Sequence, residues 1–433
     1  MICKNIGINE KGHLTFAGRD TVDLAKTYGT PLYLMDEERI RENCRIYKNA
    51  LKRELGDGAL PLYAGKALCV KDVYRIMREE RMGIDVVSCG EVFTAYSAGF
   101  PMENAYFHGN NKTDDDVRFA MDHGVGCFVC DNAEELCAIE AEAEARSRVQ
   151  KVIIRIAPGI DPHTHKAIST GSIDSKFGTA IETGQAKELI ALALTKKHVD
   201  LAGLHCHIGS QIFETEPFCD AADIMLAFMA EVSEEFGITL RELNLGGGIG
   251  VRYLESHPNI DVDGYITEVA AHIRNACKKL SMDIPHIRLE PGRSIVADAG
   301  MTLYTAGAVK SIPKFKNYLS VDGGMADNPR YALYQSPYTV EIANKMNEEK
   351  NFVCTVAGRC CESGDMIQEN VPLPTPARGD IVAVLTTGAY NYAMASNYNR
   401  LPRPAMIMLT KNGEHIAVKR ETFEDLIRNE LCD

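Results

Sequence analysis

The chain has no surplus of basic residues: 47 Lys and Arg stand against 60 Asp and Glu, for a formal net charge of -13. A field of that sign repels phosphate backbones and anionic lipid, which sets nucleic-acid and membrane partners aside and leaves small molecules. No apolar stretch approaches the roughly 18 residues that a membrane span needs. The opening residues, MICKNIGINEKGHL, lack a positive segment followed by an apolar run, so the expected location is cytoplasmic. The 14 cysteines have no framework spacing and are scattered over 433 residues, as in a reduced compartment where most serve as small core residues. Internal repeats, low-complexity tracts and long charge blocks are also missing. What remains is an ordinary enzyme-like composition, 45% hydrophobic, long enough for two or three domains or for one large barrel with a smaller partner.

From about residue 60 to 300, short β-branched runs alternate with helical stretches such as NAEELCAIEAEAEARSR. The runs are PLYAGKA (61–67), GIDVVS (83–88), NAYFHG (104–109), GCFVCD (126–131), KVIIRIA (151–157), LAGLHCHIGS (201–210), ELNLGGGIG (242–250) and HIRLEPGR (286–293). Eight such βα units over a span close to the usual ~250 residues predict an α/β fold, a (β/α)8 TIM-type barrel. The alternative is an open doubly wound sheet, but its glycine-rich turn would follow the first strand and not the seventh. After residue 300 the texture turns to strand-like pieces broken by Gly and Pro, with one late helix in ETFEDLIRNEL. This predicts a barrel over 32–300, with 1–31 and 301–433 forming a second, β-rich domain to which HLTFAG adds a strand.

Barrel active sites gather at the C-terminal ends of the strands, and the polar residues fall there. Lys66 in YAGKAL is either a solvated rim residue or a nucleophile for a carbonyl cofactor. Gly246, Gly247 and Gly248 follow the seventh strand, and Glu290, Pro291, Gly292 and Arg293 the eighth, the two loops from which such barrels commonly build phosphate sites. Alone, the triple glycine is a tight turn. Glu290 beside a pyridine nitrogen would favour the protonated ring that acts as an electron sink, so lysine, phosphate cradle and carboxylate form a pyridoxal-phosphate set. In HCHIGSQ (205–211), His207 can lie on a flat ring and Ser210 can meet its phosphate. His205 and His207 share a strand face and so raise a metal site, discounted because no third ligand follows at the right spacing. His163 and His165 are set aside on the same ground as loop residues, and SKFG (175–178) belongs to the same long fifth loop. The C-x-x-C of Cys127 and Cys130 lies on a predicted strand, where positions three apart face opposite ways, which argues against a redox or zinc pair. AGRCCESGD (357–365) and TTGAYNYAMASNYN (386–399) are polar turns suited to reaching into a site, and of Cys360 and Cys361 only one can face it.

With Lys66, HCHIGSQ, LGGGIG, EPGRS, SVDGGMADNPRYALY, CESGD and GAYNYAMASNYN in one order, the chain resembles the fold-type III pyridoxal-phosphate decarboxylases, most closely their diaminopimelate-specific branch. The likeness runs from about residue 30 to 410. It implies an alanine-racemase-like barrel with a β-domain, in a homodimer whose active sites take residues from both subunits. It implies pyridoxal 5'-phosphate held covalently by Lys66, stacked on His207, met at its ring nitrogen by Glu290 and approached by Asp85. Gly246, Gly247, Gly248, Gly292, Arg293, Ser210 and Tyr390 would surround the phosphate. Cys361 would donate the proton after carbon dioxide departs. Arg293, Arg330, Tyr334 and Tyr390 would bind substrate, with Arg330 on the distal carboxylate and Glu362 on the distal ammonium. The implied reaction is decarboxylation of meso-diaminopimelate at its D-centre to L-lysine, the last step of lysine biosynthesis.

A head group with both charges needs a guanidinium fork and an acid together, whereas ornithine offers only an ammonium. That contrast ranks an ornithine or arginine decarboxylase second. A non-catalytic regulatory homologue would lack the lysine or the cysteine, and a racemase would carry arginine at the ring nitrogen. Arg359 and Cys360 depart from the family's usual Pro-Ile before the Cys-Glu pair, Gly65 and Leu68 vary YAVKAN, and Tyr331 replaces a proline. None of these removes a charged group of the site.

Overall fold

Eight parallel strands close on themselves: Leu60–Ala64, Gly83–Val86, Ala105–Phe107, Cys127–Cys130, Gln150–Ala157, Val199–His205, Glu242–Asn244 and His286–Leu289. Each pairs with the next, and the last pairs with the first through Leu289 and Pro61, so no edge is left open. This is the barrel expected from the sequence. The strands read as continuous apolar runs because both faces are covered; Ile84, Val86, Ile153 and Ile154 are all fully buried. Leu62, Tyr106, Cys127, Val129, Ile153 and Ala202, from five strands, pack against one another, each large aliphatic contributing about 1.5–3 kcal/mol. The helices that follow strands two, three and four are capped by Ser88, Thr113 and Asn132, whose side chains accept from the backbone N–H of Glu91, Asp116 and Glu135.

The structure is a computed structural model that describes residues 2–160 and 176–431. His163, His165 and Ser175 of the fifth-strand loop lie outside the described residues. The chain divides into two units: Glu42–Gly250 with Ile260–Ser294, which holds the barrel, and Met1–Arg41, Val251–Asn259 and Ile295–Asp433. In the second of these, the long strand Gly300–Ile312 is central. It runs antiparallel to Leu32–Asp36 and Ile381–Leu385 over its first half, and to Lys316–Val321 over its second, with a register shift between Ala306 and Val309. Phe352–Ala357 and Met366–Leu373 extend one end, and Ala405–Thr410 and Gly413–Val418 the other. Two cores lie on this sheet, one around Leu34, Leu303 and Ile407, the other around Tyr304, Val356 and Val382. Among the described residues, no helix is long and apolar enough to cross a membrane.

Two expectations change. Leu32–Asp36 is not the start of the barrel unit but a fully buried strand of the β-rich sheet, and Val251–Asn259 also joins that unit. Its parallel partner is Ala405–Thr410, more than 360 residues away in sequence, a pairing that no local pattern can reveal. HLTFAG does add a strand to that unit, Leu14–Phe16, with Leu14 and Phe16 in its core, but in a small sheet of its own with Ile6–Ile8 and Arg19–Asp20. The late helix shrinks to Phe423–Ile427, started by a Thr422–Asp425 capping box.

Candidate active site

Within the barrel unit, the carboxylate of Glu290 is the best-held charged group. It follows the eighth strand and is 7% exposed. Asn244 Nδ2, at the end of the seventh strand, donates to Oε1 at 2.7 Å, and His205 Nε2, at the end of the sixth, lies 3.2 Å from Oε2. His108 Nε2, just past the third strand, is 2.8 Å from Oε1. Parallel register sets these neighbours level: His205 pairs with Asn244 on one side and with Arg155 on the other. Burial opposes ionisation, yet the nearby His108 and the hydrogen bond from His205 hold the Glu290 carboxyl well below the usual range.

Lys66 sits not on the first strand but in the single 3-10 turn Gly65–Ala67 that follows it, exposed. Its charge acts on Asp85, Glu91 and His207. Asp85 is buried on the second strand, and burial raises its carboxyl. Loss of solvation, with the positive charges of Lys66 and Arg155, pushes His207 well below the ordinary imidazole value, leaving a neutral ring. His207 Nδ1 accepts from the Gly247 N–H at 3.3 Å, which ties the sixth-strand loop to the glycine turn. A Cβ at Gly247 would stand 2.0 Å from the carbonyl oxygen of Glu290, and Gly248 has φ +133, so this turn admits only glycine. Arg293 Nη2 donates to Ser210 Oγ at 2.9 Å, and Gly292 packs against Ala64 and Ala67.

His205 and His207 part company as a metal pair. His205 turns to His108 and Glu290 instead, three potential ligand atoms within 4.8 Å of one another. The His205 contact at 3.2 Å is a direct hydrogen bond, and His108 Nε2, 2.8 Å from the same carboxylate, stands closer than the roughly 3.3 Å that separates ligands around a tetrahedral zinc. Cys127 and Cys130 are free and buried, the former packed in the barrel interior.

Sequence reasoning missed His108, Asn244 and Arg155. Arg155 is 8% exposed, lies 4.3 Å above the Phe177 ring of SKFG, and feels Asp131, Glu290 and Asp85. Its signal was a charge inside the apolar run KVIIRIA. At the opposite end of the strands, Lys151 and Arg288 share Glu242 at 2.7 and 3.0 Å, charges paired with each other and turned away from any ligand.

Within the β-rich unit, Arg330 and Tyr334 bound one short helix. The Arg330 guanidinium is clamped: Nη1 donates to Tyr338 Oη at 2.9 Å and Nη2 to Ser336 Oγ at 3.1 Å, and its carbon lies 5.1 and 5.7 Å from the Tyr253 and Tyr338 ring centres. Cys360 and Cys361 stand in a bend between Phe352–Ala357 and Met366–Leu373, not on a strand. They nevertheless part as expected. Cys360 is buried, its N–H bound to Asp365, and its thiol is pushed up to about 11 by burial and by Asp365. Cys361 is exposed, with its N–H on Asn399 Oδ1 at 2.6 Å. Tyr398 Oη donates to Glu362 at 3.4 Å. Tyr390 holds a left-handed backbone, φ +59, in the turn that also places Asn391 on Tyr338.

Residues 37–297 match the family described as pyridoxal-dependent decarboxylase, pyridoxal binding domain. The diaminopimelate decarboxylase of Bacillus subtilis is 43% identical over 98% of this chain and 96% of its own length, and that of Staphylococcus aureus 42% over 98% of each. The crystal structure of M. jannaschii diaminopimelate decarboxylase in complex with L-lysine has a TM-score of 0.92 at 33% identity, covering 100% of this chain and 99% of that one. A Vibrio vulnificus lysine/ornithine decarboxylase bound to putrescine is more distant, with TM-score 0.75 at 25% identity over 93% and 99%. The chain is a pyridoxal-phosphate enzyme and belongs to the diaminopimelate decarboxylases.

Proposed function

We propose that the enzyme removes the carboxylate at the D-centre of meso-diaminopimelate, releasing L-lysine and carbon dioxide as the last step of lysine biosynthesis in the cytoplasm. The observation that carries this reading is a buried, ionised Glu290 at the strand ends that also bear Lys66 and the glycine turn. The residues fit the cofactor. Glu290 has about four lone pairs, and Asn244 and His205 take one on each oxygen, leaving room to meet a ring N–H. The Gly246, Gly247 and Gly248 turn bares its backbone where a side chain would clash.

In this reading Lys66 holds the cofactor covalently, neutral His207 lies against its ring, and Asp85 stands near Lys66. Gly246, Gly247, Gly248, Gly292, Arg293, Ser210 and Tyr390 hold the phosphate. Bound there, pyridoxal phosphate supplies a sink for the electron pair left when carbon dioxide departs. Glu290 favours a protonated ring nitrogen, which deepens that sink. Arg330, Arg293 and Tyr334 receive the distal carboxylate, Glu362 the distal ammonium, and Tyr390 borders the substrate. Cys361 delivers a proton to the carbon that lost its carboxylate, and its exposure suits a thiol that serves the site of a second copy in a homodimer. Arg330 disfavours the ornithine alternative, since a buried guanidinium without a carboxylate to meet would be wasted on a lone ammonium.

Lys66→Ala and Cys361→Ala proteins, each inactive alone, are mixed under conditions of proven subunit exchange and assayed for carbon dioxide release. Partial recovery is expected, because one mixed site would be intact. No recovery refutes the sharing of sites, and activity of Lys66→Ala alone refutes the mechanism.

A further inference from the structure

The two histidines that flank Glu290 are used by none of the steps above. They come from different strands and contact different carboxylate oxygens: His108 Nε2 is 2.8 Å from Oε1 and His205 Nε2 is 3.2 Å from Oε2. Their rings meet edge to face, centroids 4.8 Å apart at 72°. His205 is fully buried, and its Nδ1 has no hydrogen-bond partner among the described residues. A second N–H there would be a buried donor with nothing to bind, so His205 is the neutral tautomer that donates from Nε2. Burial, which drags it down to about 4, agrees. His108 lies between two acids, since its Nε2 is also 3.8 Å from Asp85 Oδ1. Without a donor on each oxygen, a buried Glu290 would take up a proton and cease to be an acceptor.

We propose that His205, its ring packed edge to face on His108, is a positioning residue that keeps Glu290 ionised and turns its free lone pairs toward the cofactor's ring nitrogen. The inference rests on the role of Glu290 proposed above. Asp85, Lys66, Arg155, Asp131, Cys206 and His207 are the other titratable groups around the cluster. His205 and Asn244 donate to opposite oxygens of the carboxylate and form the clamp.

Gln and Asn replacements separate the donor from the ring. A glutamine amide reaches the place of Nε2, whereas an asparagine amide reaches only that of Nδ1, and both lose the same aromatic packing. His205→Gln and His205→Asn are compared for the dissociation constant of pyridoxal phosphate from the cofactor-free protein, and for kcat and KM on meso-diaminopimelate. One lost hydrogen bond to a charged group predicts roughly a tenfold weaker cofactor and a kcat lower by tenfold or more in the Asn variant. KM should be unchanged, and the Gln variant should recover most of both losses. Gln and Asn variants that behave alike overturn the inference. Glu290→Gln, run in parallel, tells the two failures apart. If it loses activity while the Asn variant keeps its own, only the clamp is wrong; if it keeps wild-type kcat, the role of Glu290 and the clamp fall together.

Discussion

Replacing Arg330 by methionine removes a charge while keeping most of the volume, and the structure sets the size of each consequence. The guanidinium is 5% exposed and spends one N–H on Tyr338 and one on Ser336, so part of its fork remains for a ligand carboxylate. Losing two neutral-acceptor hydrogen bonds should destabilise the protein by about 2 kcal/mol, a fall in Tm of roughly 4–8 °C for a large domain. Losing the charged contact to the substrate should cost about 3 kcal/mol more, a drop of ~150-fold in kcat/KM for meso-diaminopimelate. Inhibition constants separate the two effects. L-Lysine keeps the distal carboxylate that Arg330 is proposed to hold, and cadaverine lacks it. Arg330→Met should therefore weaken inhibition by L-lysine by about the same factor while leaving that by cadaverine within about twofold, since only one carries the partner charge. Equal weakening of both would mean that the mutation merely loosens the fold, and would refute the assignment of Arg330 to the substrate.

Further predictions follow from the same geometry. Cys361→Ser should lower kcat by ~100-fold or more, the size of a lost general acid, whereas Cys360→Ser should keep kcat within about threefold; iodoacetamide should label exposed Cys361 before buried Cys360, as peptide mapping would show. Gly247→Ala drives a Cβ to within 2.0 Å of the Glu290 carbonyl oxygen, and should cost about 1–3 kcal/mol in denaturant titrations and weaken cofactor retention on dialysis. Glu421 is held down to about 2: burial opposes this, but hydrogen bonds from Arg403 and Asn397 prevail. Its folded value is depressed, so its stabilisation is present above the unfolded carboxyl value near 4.3 and is lost as pH falls toward 2. Glu421→Gln should be less stable than wild type by about 1 kcal/mol at neutral pH, the partly exposed Arg403 limiting the effect, with the gap closing in urea titrations toward pH ~3.

The barrel was legible because its physics is local. Each strand is a short apolar run, and each helix start carries a cap such as Ser88, Thr113 or Asn132 that the backbone requires nearby. The glycine turn at 246–248 and the Glu290 loop could be read as partners because barrel topology brings consecutive strand ends together. The domain edge could not be read in the same way. Leu32–Asp36 has the apolar texture of a barrel strand, and only its pairing with Ala405–Thr410 and Gly300–Ile312 decides its place. The clamp on Glu290 was hidden for a related reason. His205 and Asn244 end the sixth and seventh strands and His108 lies just past the third, and nothing in FHGNN, LHCHI or ELNLG says that their tips converge. Arg155 left a usable sign, since a charge at the centre of an apolar strand must find a partner inside. The bend at Cys360 and Cys361 leaves one cysteine buried and the other exposed without the predicted strand, because Asp365 pins one amide and Asn399 the next.

The central claim is tested most directly by product identity. Purified enzyme with pyridoxal phosphate is offered meso-diaminopimelate, ornithine, arginine and lysine side by side, with carbon dioxide and the amine product quantified together. The account predicts L-lysine and carbon dioxide in equal amounts from meso-diaminopimelate, and neither gas nor amine from the other three. Carbon dioxide from ornithine or arginine would contradict the roles given to Arg330 and Glu362, and silence on all four would contradict decarboxylation itself.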